Sequence, residues 1–157
     1  MTPSADDLVF RTPHACDILR LAVNLRQADR DELAACDHFD AFAAVEHSVR
    51  HSTLCWAVCA PGELLAVFGV CPLAGHPGVG TPWLLATEAA AHHVRPLIEL
   101  PGPYIARMLD AFPRLVNFVH ADNTRSIRWL RRLGFSVDQS APFGPNGAPF
   151  HRFEMTR

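Results

Sequence analysis

The sequence has no lysine, because all 14 of its Lys and Arg residues are arginine, a bias that we attribute to a GC-rich genome rather than to chemistry. It also lacks any apolar run near the roughly 20 residues that a membrane-spanning helix needs, so membrane insertion is not expected. The stretch Met1–Phe10 carries two acids and no basic segment followed by an apolar one. We therefore expect no secretory signal and a protein that stays where it is made.

Cysteines are few and odd in number, with five scattered through segments that are expected to form the core. This usage suits reduced thiols in a cytosolic compartment rather than a disulfide framework. Cys55 and Cys59 are expected on the same face of one strand, which is not the arrangement of a zinc knuckle. We interpret the cysteines as small hydrophobic side chains.

Length and composition predict one globular domain. A chain of 157 residues, 49% of them apolar and 19% charged, can bury roughly 70% of the surface that its unfolded form exposes. The net charge of −2 hides an asymmetry, since residues 1–80 carry five arginines and ten acids while residues 81–157 carry nine arginines and six acids. Positive charge is therefore concentrated in the second half.

The first half is predicted to contain three helical segments. Asp17–Ala22 is compatible with a short helix that leads into a strand at Val23–Arg26. Asp29 is predicted to be the N-cap of a helix over Arg30–Cys36. Apolar residues at helical spacing predict a further helix over Phe39–His51, and we expect the last two helices to pack as a pair.

The middle of the chain is predicted to form a hairpin, a strand and a broken helix. Apolar runs at Leu54–Cys59 and Leu64–Val70 flank a turn with Pro and Gly, which is typical of a β-hairpin. After a loop rich in Gly and Pro, Trp83–Thr87 is predicted to be the next strand. Arg95–Phe112 is predicted to form two helical pieces broken at Pro101-Gly102.

The last third has the strongest local signals. Leu115–His120 is rich in β-forming residues, Asn123 lies where an N-cap is expected, and Thr124–Leu133 is predicted to be a helix. Gly134 is expected to end that helix in the left-handed conformation, with Phe135 packed on its last turn in a Schellman-type ending. Two antiparallel strand partners are then predicted at Ser136–Gln139 and Phe150–Met155.

The segment Asn123–Phe135 reads Asn-Thr-Arg-Ser-Ile-Arg-Trp-Leu-Arg-Arg-Leu-Gly-Phe. It resembles the part of GNAT acyltransferases in which an Asn opens the fourth helix after the fifth strand and a Gly-Phe pair ends it. The order of the earlier elements also matches. The resemblance implies a single α/β domain over residues 1–157, with a mixed, mostly antiparallel central sheet flanked by helices, and acetyl-CoA as the ligand.

The family binds the phosphates of acyl-CoA on backbone N–H groups of a glycine-rich loop, which follows the fourth strand at a helix N-terminus. In the preferred register the segment after that strand is Glu88–Pro96, which contains no glycine. A rival interpretation makes Gly78–Gly80 the phosphate loop and Trp83–His93 the helix. In the preferred register, phosphate binding would depend on His92, His93 and Arg95.

The catalytic groups that the resemblance implies are only partly present. The family's usual general acid is a tyrosine in the fourth helix, and the matching position is Leu130, which cannot donate a proton. Glu88, at the end of the fourth strand, is the best-placed carboxylate for a general base. Asn123 and Arg125 are candidate CoA contacts, although Asn123 is first a helix cap and the arginines of this helix also suit a solvated face. The arginines are Arg125, Arg128, Arg131 and Arg132.

The chain also resembles a narrower group, the GNAT-like proteins of short-tailed phages called internal virion protein A. The resemblance lies in Trp83–Thr87, in a helical insert instead of a glycine loop, and in Leu115–Val119 followed by Asn123. It implies a role in virion assembly or composition. Our main hypothesis from the sequence is a phage-encoded GNAT-fold protein with a degenerate acyl-CoA site, located in the host cytoplasm and the virion, with other phage structural proteins as partners.

Three alternatives stay open beside that hypothesis. The first is an active acetyl-CoA-dependent N-acetyltransferase with Glu88 as its base, which could not acetylate itself on lysine. The second is nucleic-acid binding through the arginine-rich helix, which the acidic overall balance disfavours. The third is a metal on His47 and His51, but no further ligand is evident, so we expect no metal.

Overall fold

The computed structural model describes residues 7–99 and 101–157, so the expectation for Met1–Phe10 falls largely outside them. They form an eight-stranded sheet in the order β1-β2-β3-β4-β5-β8-β6, with β7 also paired to β8. Neighbouring strands are antiparallel except β4 and β5, which confirms the predicted fold class. The strands are β1 Val9–Arg11, β2 Leu54–Ala60, β3 Glu63–Pro72, β4 Val79–Ala86, β5 Arg114–His120, β6 Ser136–Val137, β7 Ala141–Phe143 and β8 Ala148–Thr156.

Helices cover both faces of this sheet. They are α1 Ala15–Asn24, α2 Gln27–Ala35, α3 Ala41–His51, α4 Val94–Glu99, α5 Gly102–Ala111 and α6 Thr124–Leu133, and a 3-10 helix, Glu88–His93, precedes α4. Within the described residues none of these helices has the length and apolar character needed to span a bilayer. The prediction of two helical pieces separated at Pro101-Gly102 is confirmed by α4 and α5.

Two apolar cores lie on opposite faces of the sheet. One core joins α1 and α3 to the sheet, and Cys55 and Cys59 pack against it, as the sequence predicts. Trp83 also packs there, with its Nε1 donating a hydrogen bond to Ser52 Oγ at 2.8 Å. The other core joins α5 and α6 to the sheet and contains Phe68, Val70, Met108, Leu115, Leu130 and Phe153. The sheet is therefore the middle of three layers.

The N-terminal half differs from the sequence prediction in two places. The predicted strand Val23–Arg26 is wrong, because α1 continues to Asn24 and only Leu25 forms an isolated bridge, to Thr87. The prediction of Asp29 as an N-cap is also wrong. The cap is Arg26, and Asp29 lies in the first turn of α2, where its carboxylate binds an amide of the distant strand β4.

Strands β4 and β5 separate soon after they meet. Their backbones pair in parallel only at Val79 with Arg114 and at Gly80 with Leu115. Farther along, the Asn117 side chain donates to the Pro82 carbonyl at 2.7 Å, so a side chain spans the gap. The two strands therefore leave a split in the middle of the sheet that opens toward their carboxyl ends.

Gly80 marks the point at which the two strands part. A Cβ at this position would lie 2.7 Å from Val70 Cγ2 and 2.7 Å from the Phe112 ring. Because overpacking a buried site costs about 1–3 kcal/mol, we expect Gly80→Ala to lower the free energy of unfolding by that amount, as measured by urea denaturation. Gly102→Ala is the matched control, since a Cβ there meets nothing within 4 Å. Equal stability of the two variants would contradict this prediction.

The C-terminal half follows the sequence prediction closely. The Asn123 side chain accepts a hydrogen bond from the Ser126 N–H, and Gly134 ends α6 in the left-handed region at φ 99°. The Phe135 N–H donates to the Leu130 carbonyl at 3.1 Å, which is the Schellman bond. Gly80 lies inside β4, so the preferred register is confirmed and the rival phosphate loop at Gly78–Gly80 is wrong.

Candidate functional site

Two carboxylates from α2 close one side of the split. Asp29 accepts a hydrogen bond from the Ala86 N–H of β4 at 2.9 Å. Glu32, one helical turn later, accepts one from the His120 N–H of β5 at 2.6 Å. Because residues three apart lie on the same face of a helix, α2 can reach both separated strands at once. The two amides would otherwise point into the gap without a partner.

Asp29 is held by a charge partner as well as by β4. It is 1% exposed, and Arg26 Nε and Nη2 bind its two carboxylate oxygens at 2.8 and 2.9 Å. Arg26 also donates to Ser126 Oγ at 3.1 Å, so the start of α2 is joined to α6. Because Asp29 is buried, its carboxylate would destabilise the fold if it had no charge partner. The two hydrogen bonds from Arg26 offset that free-energy cost.

Glu32 lies in a different electrostatic environment. Burial raises the pKa of its carboxyl group, and the nearby Asp29 carboxylate raises it further. Hydrogen bonds from the His120 N–H and the Asn123 side chain, together with the charge of Arg26, oppose that rise in pKa without cancelling it. A carboxylate with a raised pKa that faces a cleft is the type of group that takes up a proton during catalysis.

The split leads into a cavity of about 910 Å³. Its floor is apolar and comes from the sheet and from the segment after β4, including Val58, Ala66, Phe68, Leu84, Leu97 and Ile98. Its opposite wall is the side of α6. The combination of an apolar floor and a polar wall favours a ligand that has both an apolar part and a charged part.

Three arginines of α6 line that wall. Arg125, Arg128 and Arg132 follow a spacing of three and four residues, which places them on one helix face, whereas Arg131 does not line the cavity. One guanidinium group can donate two parallel hydrogen bonds to the oxygens of a phosphate. A helix face with three arginines therefore suits a ligand with several phosphates. The neighbouring Trp129 lines the same wall.

The start of α5 offers few backbone donors for a phosphate. The helix α5 begins at Pro101-Gly102-Pro103, and Pro103 has no N–H. The N–H groups of Tyr104 and Ile105 are already bonded to the Pro101 carbonyl, at 3.1 and 2.9 Å. A phosphate near the start of α5 would therefore depend on the arginine side chains of α6.

Some of the sequence-predicted site residues meet at this cavity. Glu88, Asn123 and Arg125 all line it. The Glu88 carboxylate is exposed and accepts a hydrogen bond from the Gln27 N–H at 3.0 Å, which joins it to the start of α2. Asn123 is buried and contacts both Ser126 and Glu32.

The other predicted phosphate ligands lie elsewhere. His92 and Arg95 are exposed outside the cavity lining, and Arg95 pairs with Glu99 at 3.2 Å. His93 is buried and faces Glu63 of the β2–β3 hairpin, with 3.7 Å between His93 Nε2 and a Glu63 carboxylate oxygen. The structure does not bring these three side chains together with the arginine face of α6.

Glu32 was missed by the sequence analysis. It lies in the acidic run Asp29–Glu32, which looks like the solvated side of a surface helix. Its position becomes apparent only through His120, 88 residues away in the chain, and no local signal announces that contact. Leu130, which matches the family's tyrosine, is buried in the core, and Tyr104 stacks on Phe10 with 4.6 Å between ring centroids.

Solved acetyltransferase structures share this architecture along nearly the whole chain. Aminoglycoside acetyltransferase AAC(6')-Ib, solved with coenzyme A, superimposes with a TM-score of 0.67 and 16% identity, over 96% of this chain and 95% of that one. This chain has the GNAT fold. The protein yncA of Salmonella typhimurium, solved with acetyl-CoA, gives a TM-score of 0.65 at 14% identity over 96% and 94% of the two chains.

A third GNAT-fold structure has a protein substrate in its name. Ribosomal-protein-S5-alanine acetyltransferase from Vibrio fischeri superimposes with a TM-score of 0.65 and 15% identity, over 96% of this chain and 93% of that one. At such identities the likeness concerns the fold. No protein-family model and no curated protein matches the chain by sequence.

Proposed function

We propose that the protein binds an acyl-CoA in the cavity beside α6 and transfers its acyl group to an amine. The observation that carries the proposal is the split between β4 and β5, with a carboxylate of raised pKa at one side and an arginine-lined cavity at the other. GNAT-fold structures that contain coenzyme A or acetyl-CoA support it. The earlier alternative of an active acetyltransferase is therefore preferred.

Different residues would bind the acyl-CoA and accept the proton. Arg125, Arg128 and Arg132 would bind the phosphates of the acyl-CoA, and the apolar floor would bind the rest. As the substrate, acyl-CoA would supply a thioester whose carbonyl carbon forms a bond to the amine nitrogen as the C–S bond breaks, and Glu32 would take up the proton of the amine. The sulfur would leave as a thiolate and be protonated by solvent, so the step would need no acid at the position of Leu130.

Titration with acetyl-CoA in a calorimeter tests the binding site. We expect Arg128→Ala to raise the Kd about tenfold or more, because a hydrogen bond to a charged group contributes about 1.5–3 kcal/mol. Added salt should weaken binding to the unmodified protein more than binding to this variant.

Arg131→Ala is the matched control, since Arg131 lies on α6 but does not line the cavity. It should bind acetyl-CoA within about twofold of the unmodified protein. Absence of heat at millimolar acetyl-CoA, or equal loss in both variants, would reject the proposed site.

The virion hypothesis is kept as the second candidate. It is favoured by the glycine-free segment after β4 and by Leu130, which together describe a GNAT fold without the family's phosphate loop and acid. The acetyltransferase structures described above give it no support. Copurification with phage particles would support a virion role with phage structural partners, and absence from both particles and assembly intermediates would count against it.

A further inference from the structure

A second cavity, of about 250 Å³, runs through the split itself. Its lining includes Asp29 and Glu32 at the side of α2 and Met108, Leu130 and Phe153 at the side of α5 and α6. Phe68, Leu84, Asn123 and Trp129 line both this cavity and the larger one, so the two adjoin. A ligand that enters along α6 thus reaches an adjoining apolar space at the α5 and α6 side of the split, opposite the carboxylate of Glu32.

We propose that this space receives the hydrocarbon tail of the donor, so that the protein prefers acyl-CoA thioesters with an unbranched chain of about four to eight carbons over acetyl-CoA. The inference rests on the proposed acyl-transfer function. A methylene displaces about as much volume as a water molecule, roughly 30 Å³, so an acetyl methyl would leave most of this cavity empty. The end of the cavity at α5 is lined by apolar and aromatic side chains, and such a surface binds hydrocarbon better than water.

The lining also specifies the chemistry of the tail. The side chains at the α5 and α6 end are apolar or aromatic, among them Ile105, Met108, Leu130, Phe135 and Phe153. Among the described lining residues the one cation is Arg26, which is paired with Asp29 at the opposite end. A tail that ends in a carboxylate, as in succinyl-CoA, would be buried there without a charge partner, so it is excluded.

The position of Glu32 fits a donor whose tail points away from it. The carboxylate lies at the α2 side of the split, which leaves that side for the amine and the opposite side for the tail. The acyl carbonyl then lies between them, in the narrow part between β4 and β5. Tail and amine would therefore approach from opposite faces of the sheet and would not compete for space.

Calorimetry with acetyl-, butyryl-, octanoyl- and succinyl-CoA tests the inference on the full chain. Burial of one methylene strengthens binding about fourfold, so we expect the Kd of octanoyl-CoA to lie at least tenfold below that of acetyl-CoA, with succinyl-CoA the weakest. If none of the four binds, the proposed function fails. If acetyl-CoA binds as tightly as octanoyl-CoA or more tightly, the chain-length inference is overturned while the proposed function stands.

A pair of α5 variants locates the tail. Ile105→Phe adds bulk inside the split cavity, and Ala106→Phe adds an aromatic ring at the adjacent exposed position. We expect Ile105→Phe to raise the Kd of octanoyl-CoA at least tenfold with acetyl-CoA changed less than about twofold, and Ala106→Phe to change neither. Equal affinities for octanoyl-CoA in the two variants would contradict a tail site at Ile105. The measurements with the four thioesters use the unmodified protein, so they test the inference even if a variant fails to fold.

Discussion

Replacing Glu32 with glutamine is expected to lower the turnover of acyl-CoA and amine by a factor of about 10²–10⁴, the usual contribution of a general base, with acyl-CoA affinity retained. Glutamine still accepts the hydrogen bond from the His120 N–H, so the fold around the split should persist. Because burial raises the pKa of Glu32, activity of the unmodified protein should fall as pH drops through a value above the ordinary carboxyl range. A pH–rate profile measures this acid limb, which the variant should lack.

The same variant should be more stable than the unmodified protein. A carboxyl group whose pKa is raised by folding stabilises the fold below its unfolded pKa, and that contribution is lost as pH rises through the folded pKa. At neutral pH the ionised Glu32 therefore opposes folding, and Glu32→Gln removes the opposition. Thermal unfolding should show a higher Tm, by about 2–4 °C for each kcal/mol gained.

Glu88→Gln is the competing variant, since Glu88 is the carboxylate that the sequence favoured as a base. It is exposed, and glutamine could still accept the hydrogen bond from the Gln27 N–H. Full activity of Glu32→Gln together with inactivity of Glu88→Gln would assign the base to Glu88. A lower Tm for Glu32→Gln would contradict the electrostatic account of Glu32.

Replacing Asp29 with alanine is expected to destabilise the protein by about 3–5 kcal/mol, as found when one partner of a buried ion pair is removed. The change leaves Arg26 without its bidentate partner and the buried Ala86 N–H without an acceptor. Unfolding in urea, followed by far-UV circular dichroism, measures the loss. Asp29→Asn should be less damaging, because the amide oxygen can still accept from Ala86.

Asp31→Ala is the control for this prediction. Asp31 lies in the same helix but is exposed, and its hydrogen bond is to the Gln27 side chain at 2.8 Å. Such surface changes usually alter stability by about 0.5 kcal/mol or less. If Asp29→Ala and Asp31→Ala were equally stable, the bond between α2 and β4 would not hold the two elements together.

The parts of the fold that the sequence predicted are those specified by local chemistry. Asn123 and Gly134 bound α6 through hydrogen bonds to neighbours within a few residues, so their effect is visible in the sequence. The β2–β3 hairpin is of the same type, with Gly62 in the left-handed region at φ 73°. Near-neighbour signals were therefore sufficient for the β2–β3 hairpin and for most helices.

The candidate site depends on contacts between distant segments, and there the sequence prediction was weakest. Aspartate is a residue type that is common at N-caps. The Asp29 carboxylate instead accepts a hydrogen bond from the Ala86 N–H, 57 residues away. Glu32 acquires its raised pKa only when α2 lies over the split. The predicted strand Val23–Arg26 failed for a related reason: the end of α1 continues because Arg30 donates to the Ala22 and Val23 carbonyls and satisfies them.

The attachment of one helix to both separated strands also sets a distance. Asp29 and Glu32 are three residues apart, which is a rise of about 4.5 Å along α2, and each holds the amide of a different strand. The helix thereby fixes the width of the split between β4 and β5. A donor that needs a wider passage has to break one of these two hydrogen bonds, so the free-energy cost of admitting it depends on Asp29 and Glu32.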